Sequence, residues 1–211
     1  GAQTTFTIQS EHASRIELCL FSPDETEETP IKLKKGKENI WSITLPKIEP
    51  GQKYGYRAYG EYNPSRGLFF NPSKLAVDPY AFAVSKTMDN WTSPLLDIEN
   101  RQDSAPIMPK SVVVDLNKVF DNDKYPYLQA RPGFAAGKNI IYETHIKNFS
   151  KLNFHLPEDK RGKLAGLADE WSVRYFKRLG VNNIELMPVG PTCCGRQIPE
   201  AEGKTDSWGY N

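Results

Sequence analysis

The feature that most constrains the fold is a change of hydrophobic period within residues 139–189. NIIYETHIKNF carries apolar residues on both faces, which is typical of a strand in a parallel sheet covered by helices. Apolar residues then recur at steps of three and four, as on one face of a helix, at Leu164, Leu167, Ala168, Trp171, Tyr175 and Leu179. Gly180 follows, where glycine commonly ends a helix, and VNNIELMPV forms a second buried strand. This order predicts a βαβ unit with a right-handed crossover, the opening of an α/β domain.

Residues 5–59 have a different period. Short runs suited to half-buried strands are TFTIQ (5–9), RIELCLF (15–21), NIWSITL (39–45) and KYGYRAY (53–59). Charged or Gly/Pro-rich pieces divide them at the spacing of a β-sandwich. The sequence therefore predicts a small antiparallel sandwich, with one face formed by Ile16, Leu18 and Leu20.

Between these two patterns the chain is less regular. Residues 61–90 contain Asn-Pro and Asp-Pro pairs, which restrict the residue before each proline and predict an ordered, folded-back segment. Residues 91–137 are polar, with VVVDL (112–116) as the one clear strand candidate. We expect a β-sandwich module over 1–90, an irregular connecting segment over 91–137 and the first part of an α/β domain over 138–211.

The composition argues against several classes of partner. Lys and Arg total 27 and Asp and Glu total 26, so the chain has no electrostatic footprint for nucleic acid or an anionic membrane. No run approaches the roughly 20 apolar residues of a membrane helix, and GAQTTFTIQ lacks signal-peptide features, so a cytoplasmic location is expected. The cysteines have no C-x-x-C spacing; Cys19 is expected to be buried, and Cys193 and Cys194 are given no role. No metal or cofactor is expected.

Several stretches together resemble a known family. They include HASRIELCLFSP, PGQKYGYRAYGEYNPSRGLFFNPSKLAVDPYA, IIYETHIKNFS, YFKRLGVNNIELMPV and DSWGYN. In this order they are similar to the glycogen-debranching, isoamylase- and pullulanase-type branch of the α-amylase superfamily. The resemblance implies an immunoglobulin-like carbohydrate-binding module followed by a catalytic (β/α)₈ barrel whose first strand begins near IIYETHI.

Length sets an expectation about catalysis. A barrel of this type takes about 250 residues, so residues 138–211 would hold only its first two strands and first helix. The resemblance implies that the nucleophilic aspartate, the acid/base glutamate and the third acid come from the fourth, fifth and seventh strands, beyond Asn211. Retaining cleavage of a glycosidic bond needs two carboxyl groups roughly 5 Å apart. We therefore assign no catalytic residue and expect the chain alone to be inactive.

Charged residues on the two predicted barrel strands are alternative candidates for catalysis. Glu143 and Glu185 lie on adjacent strands but within them rather than at their C-terminal ends, where barrel active sites are built, so structural roles are favoured. His145 is expected to pack and to hydrogen-bond backbone or a neighbouring acid rather than act as a base.

The end of the chain carries the candidate sugar contacts. By resemblance, the tyrosine of WGY packs on the sugar bound at the cleavage point, and an apolar aromatic face suits the C–H face of glucose. The substrate-binding candidates are therefore Tyr210 and Trp208, while Asp206 and Asn211 stay unassigned. In the sandwich, exposed aromatics would serve the same purpose, with Trp41, Tyr54, Tyr56 and Tyr59 as candidates. Burial is favoured for Trp41, which alternates in phase with Ile43 and Leu45.

Two functions follow from the resemblance and the length. The first is the N-terminal portion of an enzyme that hydrolyses α-1,6-glucosidic branch linkages in glycogen or limit dextrin by a retaining mechanism. The second is a non-catalytic glucan-binding or scaffold protein, because an isolated start of a barrel would expose strand edges and an apolar face that demand a partner chain. The expected partners are α-glucans and, for the second function, the missing barrel portion or another chain.

Overall fold

The structure is a computed structural model that describes residues 3–88, 93–119 and 138–190. It divides into two compact units, Gly1–Phe120 and Asp121–Asn211. The finer division expected from the sequence, at residues 90 and 137, stays a prediction. Within the described residues, every helix is too short or too polar to cross a membrane.

The first unit contains two antiparallel sheets. Its strands are β1 (Gln3–Gln9), β2 (Arg15–Phe21), β3 (Glu28–Lys32), β4 (Lys34–Lys35), β5 (Ile40–Pro46), β6 (Lys53–Tyr59), β7 (Tyr62–Asn63), β8 (Leu68–Phe69) and β9 (Ser111–Val112), followed by the short helix α1 (Leu116–Val119). One sheet has the order β1-β5-β4 and the other β3-β2-β6-β9, while β7 and β8 form a separate hairpin. The predicted strands at 15–21 and 53–59 are confirmed with the same bounds.

The core of the first unit lies between the two sheets. Phe6 and Trp41 come from one sheet and Leu18, Tyr54 and Tyr56 from the other, and all belong to a single buried cluster. The rings of Phe6 and Tyr54 meet edge to face with centroids 5.0 Å apart. Side chains from two facing sheets therefore share one core, and the predicted β-sandwich is confirmed.

Strand β3 was missed by the sequence analysis, which treated DETEETP as a divider between strands. The strand contains Pro30 and pairs with β2 through the register Cys19↔Pro30. Proline is tolerated on an edge strand because its missing N–H can face away from the partner. The other face of β2 is also covered: Cys19 and Phe21 pack with Leu75 and Ala105, so the predicted burial of Cys19 is confirmed.

The segment after β6 is held against the sandwich by buried polar groups. Arg57 donates to both oxygens of Glu28 at 2.6 Å, to Asp103 at 2.9 Å and to the carbonyl of Pro72 at 2.9 Å. Lys110 is fully buried and donates to the carbonyls of Ala105 and Met108 at 2.6 and 2.7 Å. The folded-back geometry predicted for residues 61–90 is thus continued by ordered chain through the described residues 93–119.

The second unit contains a parallel strand pair joined through helices. Its elements are β10 (Ile141–Thr144), α2 (Ile146–Ser150), α3 (Leu164–Leu167), α4 (Glu170–Leu179) and β11 (Asn183–Leu186). Strands β10 and β11 are parallel, with Ile141 opposite Asn183 and Thr144 opposite Leu186. Gly180 ends α4 in a left-handed conformation, as the sequence predicts. The strand, helix and strand order of a βαβ unit is therefore present.

Three details of the second unit differ from the sequence analysis. The run NIIYETHIKNF is a strand only to Thr144 and then turns into α2, because the side chain of His145 caps that helix. The single helical pattern is split into α3 and α4, since Asp169 accepts the backbone N–H of Trp171 and begins a new helix. Strand β11 is not buried: the side chains of Ile184 and Leu186 are both partly exposed.

Candidate functional site

The sugar contacts predicted at the end of the chain lie outside the described residues. This applies to Trp208 and Tyr210, whose assignment stays a prediction, and to Asp206, Asn211, Cys193 and Cys194.

Glu143 and Glu185 are brought side by side by the structure. They are register partners on β10 and β11, each is exposed, and each lies one residue before its strand ends. Their favoured structural role stays a prediction. His145 behaves as expected from the sequence, because its Nδ1 accepts the backbone N–H of Asn148 at 3.3 Å.

The aromatic candidates of the sandwich are mostly inside it. Trp41 is buried, as predicted, and its Nε1–H donates to the carbonyl of Ser10 at 3.0 Å. Tyr54 and Tyr56 are also buried, and burial raises the pKa of both hydroxyls. Tyr59 is half-buried, with the guanidinium carbon of Arg15 3.6 Å from the centre of its ring. Burial therefore rules out Trp41, Tyr54 and Tyr56 as exposed sugar contacts.

An aromatic pair that reaches the surface is found instead on the hairpin formed by β7 and β8, where Tyr62 is half-buried and Phe69 is exposed. Tyr62 and Phe69 are register partners, and their rings meet edge to face with centroids 6.2 Å apart. Leu68 turns inward and is buried, so alternation turns Phe69 outward, where it is 50% exposed. Gly67, with φ of +72°, closes the turn between the strands. We call Tyr62, Phe69 and the polar groups around them the hairpin face.

Polar side chains form a rim around the hairpin face. The hydroxyl of Tyr62 donates to Glu99 at 3.0 Å, and the guanidinium carbon of Arg101 lies 6.0 Å from the centre of the Tyr62 ring. Partial burial and the acceptor Glu99 both raise the pKa of Tyr62. Further donors and acceptors come from Glu61, Asn63, Ser65 and Arg66, which are linked by hydrogen bonds of 2.7–2.9 Å.

The hairpin face combines an apolar ring surface with hydrogen-bonding groups fixed at its edge. Such a surface suits an uncharged, hydroxyl-rich ring, because the aromatic ring covers its C–H face while amides, carboxylates and guanidinium groups meet its hydroxyls. These residues are not among the sugar contacts predicted from the sequence. The available signal was EYNPSRGLFF, in which one tyrosine and two phenylalanines flank a Pro/Gly turn and so indicate a hairpin.

A second aromatic pair lies on the loop after Asp78. Tyr80 and Phe82 are 81% and 70% exposed. The loop is fixed at its base, because Asp78 accepts the hydroxyl of Tyr54 at 2.7 Å and the backbone N–H of Tyr80 at 2.8 Å. At its other end Val84 forms an isolated bridge with Ser111.

The second unit has an aromatic groove of about 470 Å³ between β10, α2 and α4. It is lined by Tyr142, Thr144, Asn148, Phe149, Leu152, Asn153, Trp171 and Tyr175. The rings of Trp171 and Tyr175 are nearly parallel, with centroids 5.6 Å apart, so they stack on each other. In the described ranges, His, Cys, Asp and Glu do not gather in groups of three or more that could hold a metal ion.

One family model matches most of the first unit. Residues 1–81 match the family model of carbohydrate-binding module 48, the isoamylase N-terminal domain. The β-sandwich of the first unit agrees with such a module. The hairpin face begins within the matched residues, at Tyr62 and Phe69, and its rim extends to Glu99 and Arg101.

Curated relatives align with the whole chain. It is 36% identical over 213 residues to the glycogen debranching enzyme of Yersinia enterocolitica and 37% identical over 215 residues to that of Serratia proteamaculans. Each alignment covers 100% of this chain and 31% of the relative, so the chain spans about a third of the length of the curated relatives it matches. The resemblance to glycogen-debranching enzymes of the α-amylase superfamily is thereby confirmed.

Solved structures of pullulanases share the fold. A pullulanase of Paenibacillus barengoltzii complexed with maltohexaose and α-cyclodextrin matches with a TM-score of 0.67 and 20% identity, over 99% of this chain and 29% of that chain. A pullulanase of an Anoxybacillus species complexed with maltotriose matches with a TM-score of 0.62 and 25% identity, over 89% of this chain and 23% of that chain.

Proposed function

We propose that this chain is the N-terminal portion of a glycogen debranching enzyme that hydrolyses α-1,6-glucosidic branch linkages in glycogen or limit dextrin. The observation that carries the proposal is the alignment of the whole chain, at 36% identity, with 31% of a glycogen debranching enzyme. In this proposal the first unit is the carbohydrate-binding module and the parallel strand pair β10–β11 begins a (β/α)₈ barrel.

The role proposed for the first unit is to hold an α-glucan on the hairpin face. Support comes from the exposure of Phe69 and from the fixed polar rim of Tyr62 and Glu99. Glucan is uncharged, so the interaction depends on ring stacking and hydrogen bonds and is expected to persist at high salt.

Electrophoresis in native gels containing glycogen tests this role. The wild-type chain is expected to be retarded, and Phe69→Ala should raise the dissociation constant about tenfold, the equivalent of one aromatic contact. Phe154→Ala is the matched control, because Phe154 is an exposed aromatic of the second unit with a guanidinium beside it, and it should leave retardation unchanged. Equal retardation of wild type and Phe69→Ala would exclude the hairpin face.

Catalysis is proposed to need acids supplied by later barrel strands. The 211-residue chain should therefore release no new reducing ends from amylopectin. Measurable debranching would contradict this proposal, and loss of that activity in Glu143→Gln or Glu185→Gln would assign catalysis to the pair that the register places side by side.

Tyr210 and Trp208 remain the proposed sugar contacts at the barrel mouth. In the same glycogen gels Tyr210→Ala should weaken retardation, and the double variant with Phe69→Ala should weaken it further, because the two contacts would lie in different units. If Tyr210→Ala migrates as wild type does, the assignment of Tyr210 fails.

A second candidate function is a glucan-binding scaffold that needs a partner chain. It is favoured by the exposed apolar side chains of the second unit, among them Ile141, Ile184 and Val189. The test mixes this chain with the part of the Yersinia enterocolitica debranching enzyme that lies outside the alignment. If the mixture debranches amylopectin and neither chain does so alone, the scaffold function with this partner chain is supported. If the two chains do not associate and the mixture is inactive, this partner chain is excluded.

A further inference from the structure

The sheet edges of the sandwich differ in how well they are protected against pairing with another chain. Strand β3 carries Pro30 and charged residues, β4 is the lysine pair Lys34–Lys35, and β9 is only Ser111–Val112. Proline, lysine and short length are the usual means of blocking an edge. Strand β1, QTTFTIQ, is seven residues long and contains neither a charge nor a proline. Among the sandwich sheet edges formed by the described residues, β1 is thus the unprotected one.

The hydrogen-bonding groups of β1 can be assigned to its two sides from the ladder. The N–H of Ser10 donates to the carbonyl of Asn39, directly opposite it, at 3.0 Å. Antiparallel pairs alternate between bonded and non-bonded, so the bonded positions of β1 are its even-numbered residues. The N–H and C=O groups that point away from β5 therefore belong to Gln3, Thr5, Thr7 and Gln9. Within the described residues, β1 pairs with β5 alone.

The sequence of β1 is close to a palindrome about Phe6. Gln3 and Gln9 are equivalent about this centre, and so are Thr5 and Thr7. The burial pattern is palindromic as well, with Phe6 buried, its neighbours exposed and Thr4 and Ile8 half-buried. A two-fold axis through Phe6 would place each outward-pointing backbone group opposite a complementary group of a second copy, since an antiparallel pair exchanges N–H and C=O between facing residues.

We propose that two copies of this chain associate through β1, antiparallel and centred on Phe6, so that their three-stranded sheets join into one continuous sheet. In this register Thr5 faces Thr7 of the second copy, and Gln3 faces Gln9. The hydroxyls and amides meet like with like, without the charge repulsion that two copies of a charged edge would meet. The side chains of Thr4 and Ile8, which are half-buried, would extend the core-side face of the sheet across the junction.

Sedimentation velocity of the 211-residue chain tests the association. Wild type is expected to move from monomer towards dimer as its concentration rises from about 5 to about 500 µM, following mass action. In the variant T5K/T7K the register puts an ammonium at position 5 opposite one at position 7 of the second copy, twice per dimer. The dissociation constant should rise about tenfold or more. In T5K/T7E the same register places opposite charges face to face and should restore the dimer.

A matched control adds the same charge elsewhere. Thr29 and Gln102 are exposed residues away from β1, so T29K/Q102K should dimerise as wild type does. A wild-type monomer throughout this range, or a dimer unaffected by T5K/T7K, would overturn the proposal; the latter result would indicate association through another surface. A dimer lost in T5K/T7K and still absent in T5K/T7E would overturn the register centred on Phe6. Circular dichroism confirms that each variant is folded.

Discussion

The two units of this chain differ in how completely they bury their apolar side chains. In the sandwich, Leu18 is 0% exposed and belongs to a cluster to which both sheets contribute. In the second unit, Ile141 and Leu186 lie on paired strands and are 61% and 40% exposed. The same residue types are thus core in one unit and surface in the other.

Layer architecture explains this difference. Two sheets packed face to face bury the inner face of each other, so the sandwich completes its core with its own residues. A parallel sheet is normally covered on both faces, and its strands are apolar on both sides for that reason. The described part of the second unit supplies helices for only part of that cover. Exposed apolar residues on these strands are what the proposed barrel would lead us to expect, because a barrel covers each strand on both faces.

The largest expected effect comes from truncating one leucine in each unit. Leu18→Ala removes a fully buried side chain and should lower the free energy of unfolding by about 3 kcal/mol through lost burial and the resulting cavity. Leu186→Ala makes the same chemical change on an exposed strand position and should cost about 0.5 kcal/mol. Chemical denaturation measures the two costs, and hydrogen exchange of peptides from each unit shows which unit opens.

If Leu18→Ala and Leu186→Ala lower the free energy of unfolding by the same amount, the two units do not differ in burial as described above. A large cost at Leu186 would mean that its side chain is covered in solution, by another part of the chain or by another molecule. Ile184→Ala, at a neighbouring half-exposed position, would then show whether the cover extends along β11.

Sequence periodicity predicted best those elements whose structure depends mainly on their own residues. RIELCLF and KYGYRAY were predicted with the correct bounds because each is a regular strand flanked by turn residues. Gly180 was predicted to end α4 because a left-handed terminus strongly favours glycine. Strand β3 was missed because Pro30 opposes a strand locally, and only its position at the edge of the sheet permits it.

The candidate site was harder to predict because exposure is a property of the assembled fold. Trp41 and Tyr54 are aromatic residues in strands, as are Tyr62 and Phe69, but the first two face the shared core and the last two lie on the separate hairpin. Local pattern separates the two pairs only in part: alternation with Ile43 and Leu45 indicates burial of Trp41, but exposure of Phe69 depends on where the hairpin lies in the fold. The start of α2 was missed for a related reason, since the cap that His145 provides depends on a side chain turning back to the backbone.

An intermediate effect is expected from Glu25, whose carboxylate forms ion pairs with Lys53 and Lys110. Although partial burial raises the pKa of Glu25, hydrogen bonds from Lys53, Ser85 and Lys110 outweigh it and hold that pKa at about 2. A depressed pKa in the folded state stabilises the fold above pH 4.5, the ordinary value, and this contribution is lost as pH falls towards 2. Glu25→Gln should therefore cost about 2 kcal/mol at pH 7 and much less near pH 2.

Urea denaturation at several pH values measures this dependence. Glu49→Gln removes an exposed carboxylate and serves as the control, whose stability should follow that of wild type at each pH. A constant difference between wild type and Glu25→Gln from pH 7 to pH 2 would show that the ion pairs with Lys53 and Lys110 do not set the pKa. Hydrogen exchange should confine the effect to the first unit, because all the partners of Glu25 lie there.

The smallest effect concerns the end of α4, where stability of the second unit depends on local backbone geometry. Gly180 has φ of +76°, which an alanine adopts at a cost of about 1 kcal/mol, and Gly180→Asn should cost less because asparagine tolerates this region. Gly190→Ala is the matched control, since Gly190 is not in the left-handed region and a Cβ there meets open space. Hydrogen exchange should show lower protection in α4 of Gly180→Ala with the sandwich unchanged. If protection falls equally in β2 and β6, the two units unfold together, which would contradict the local effect expected at Gly180.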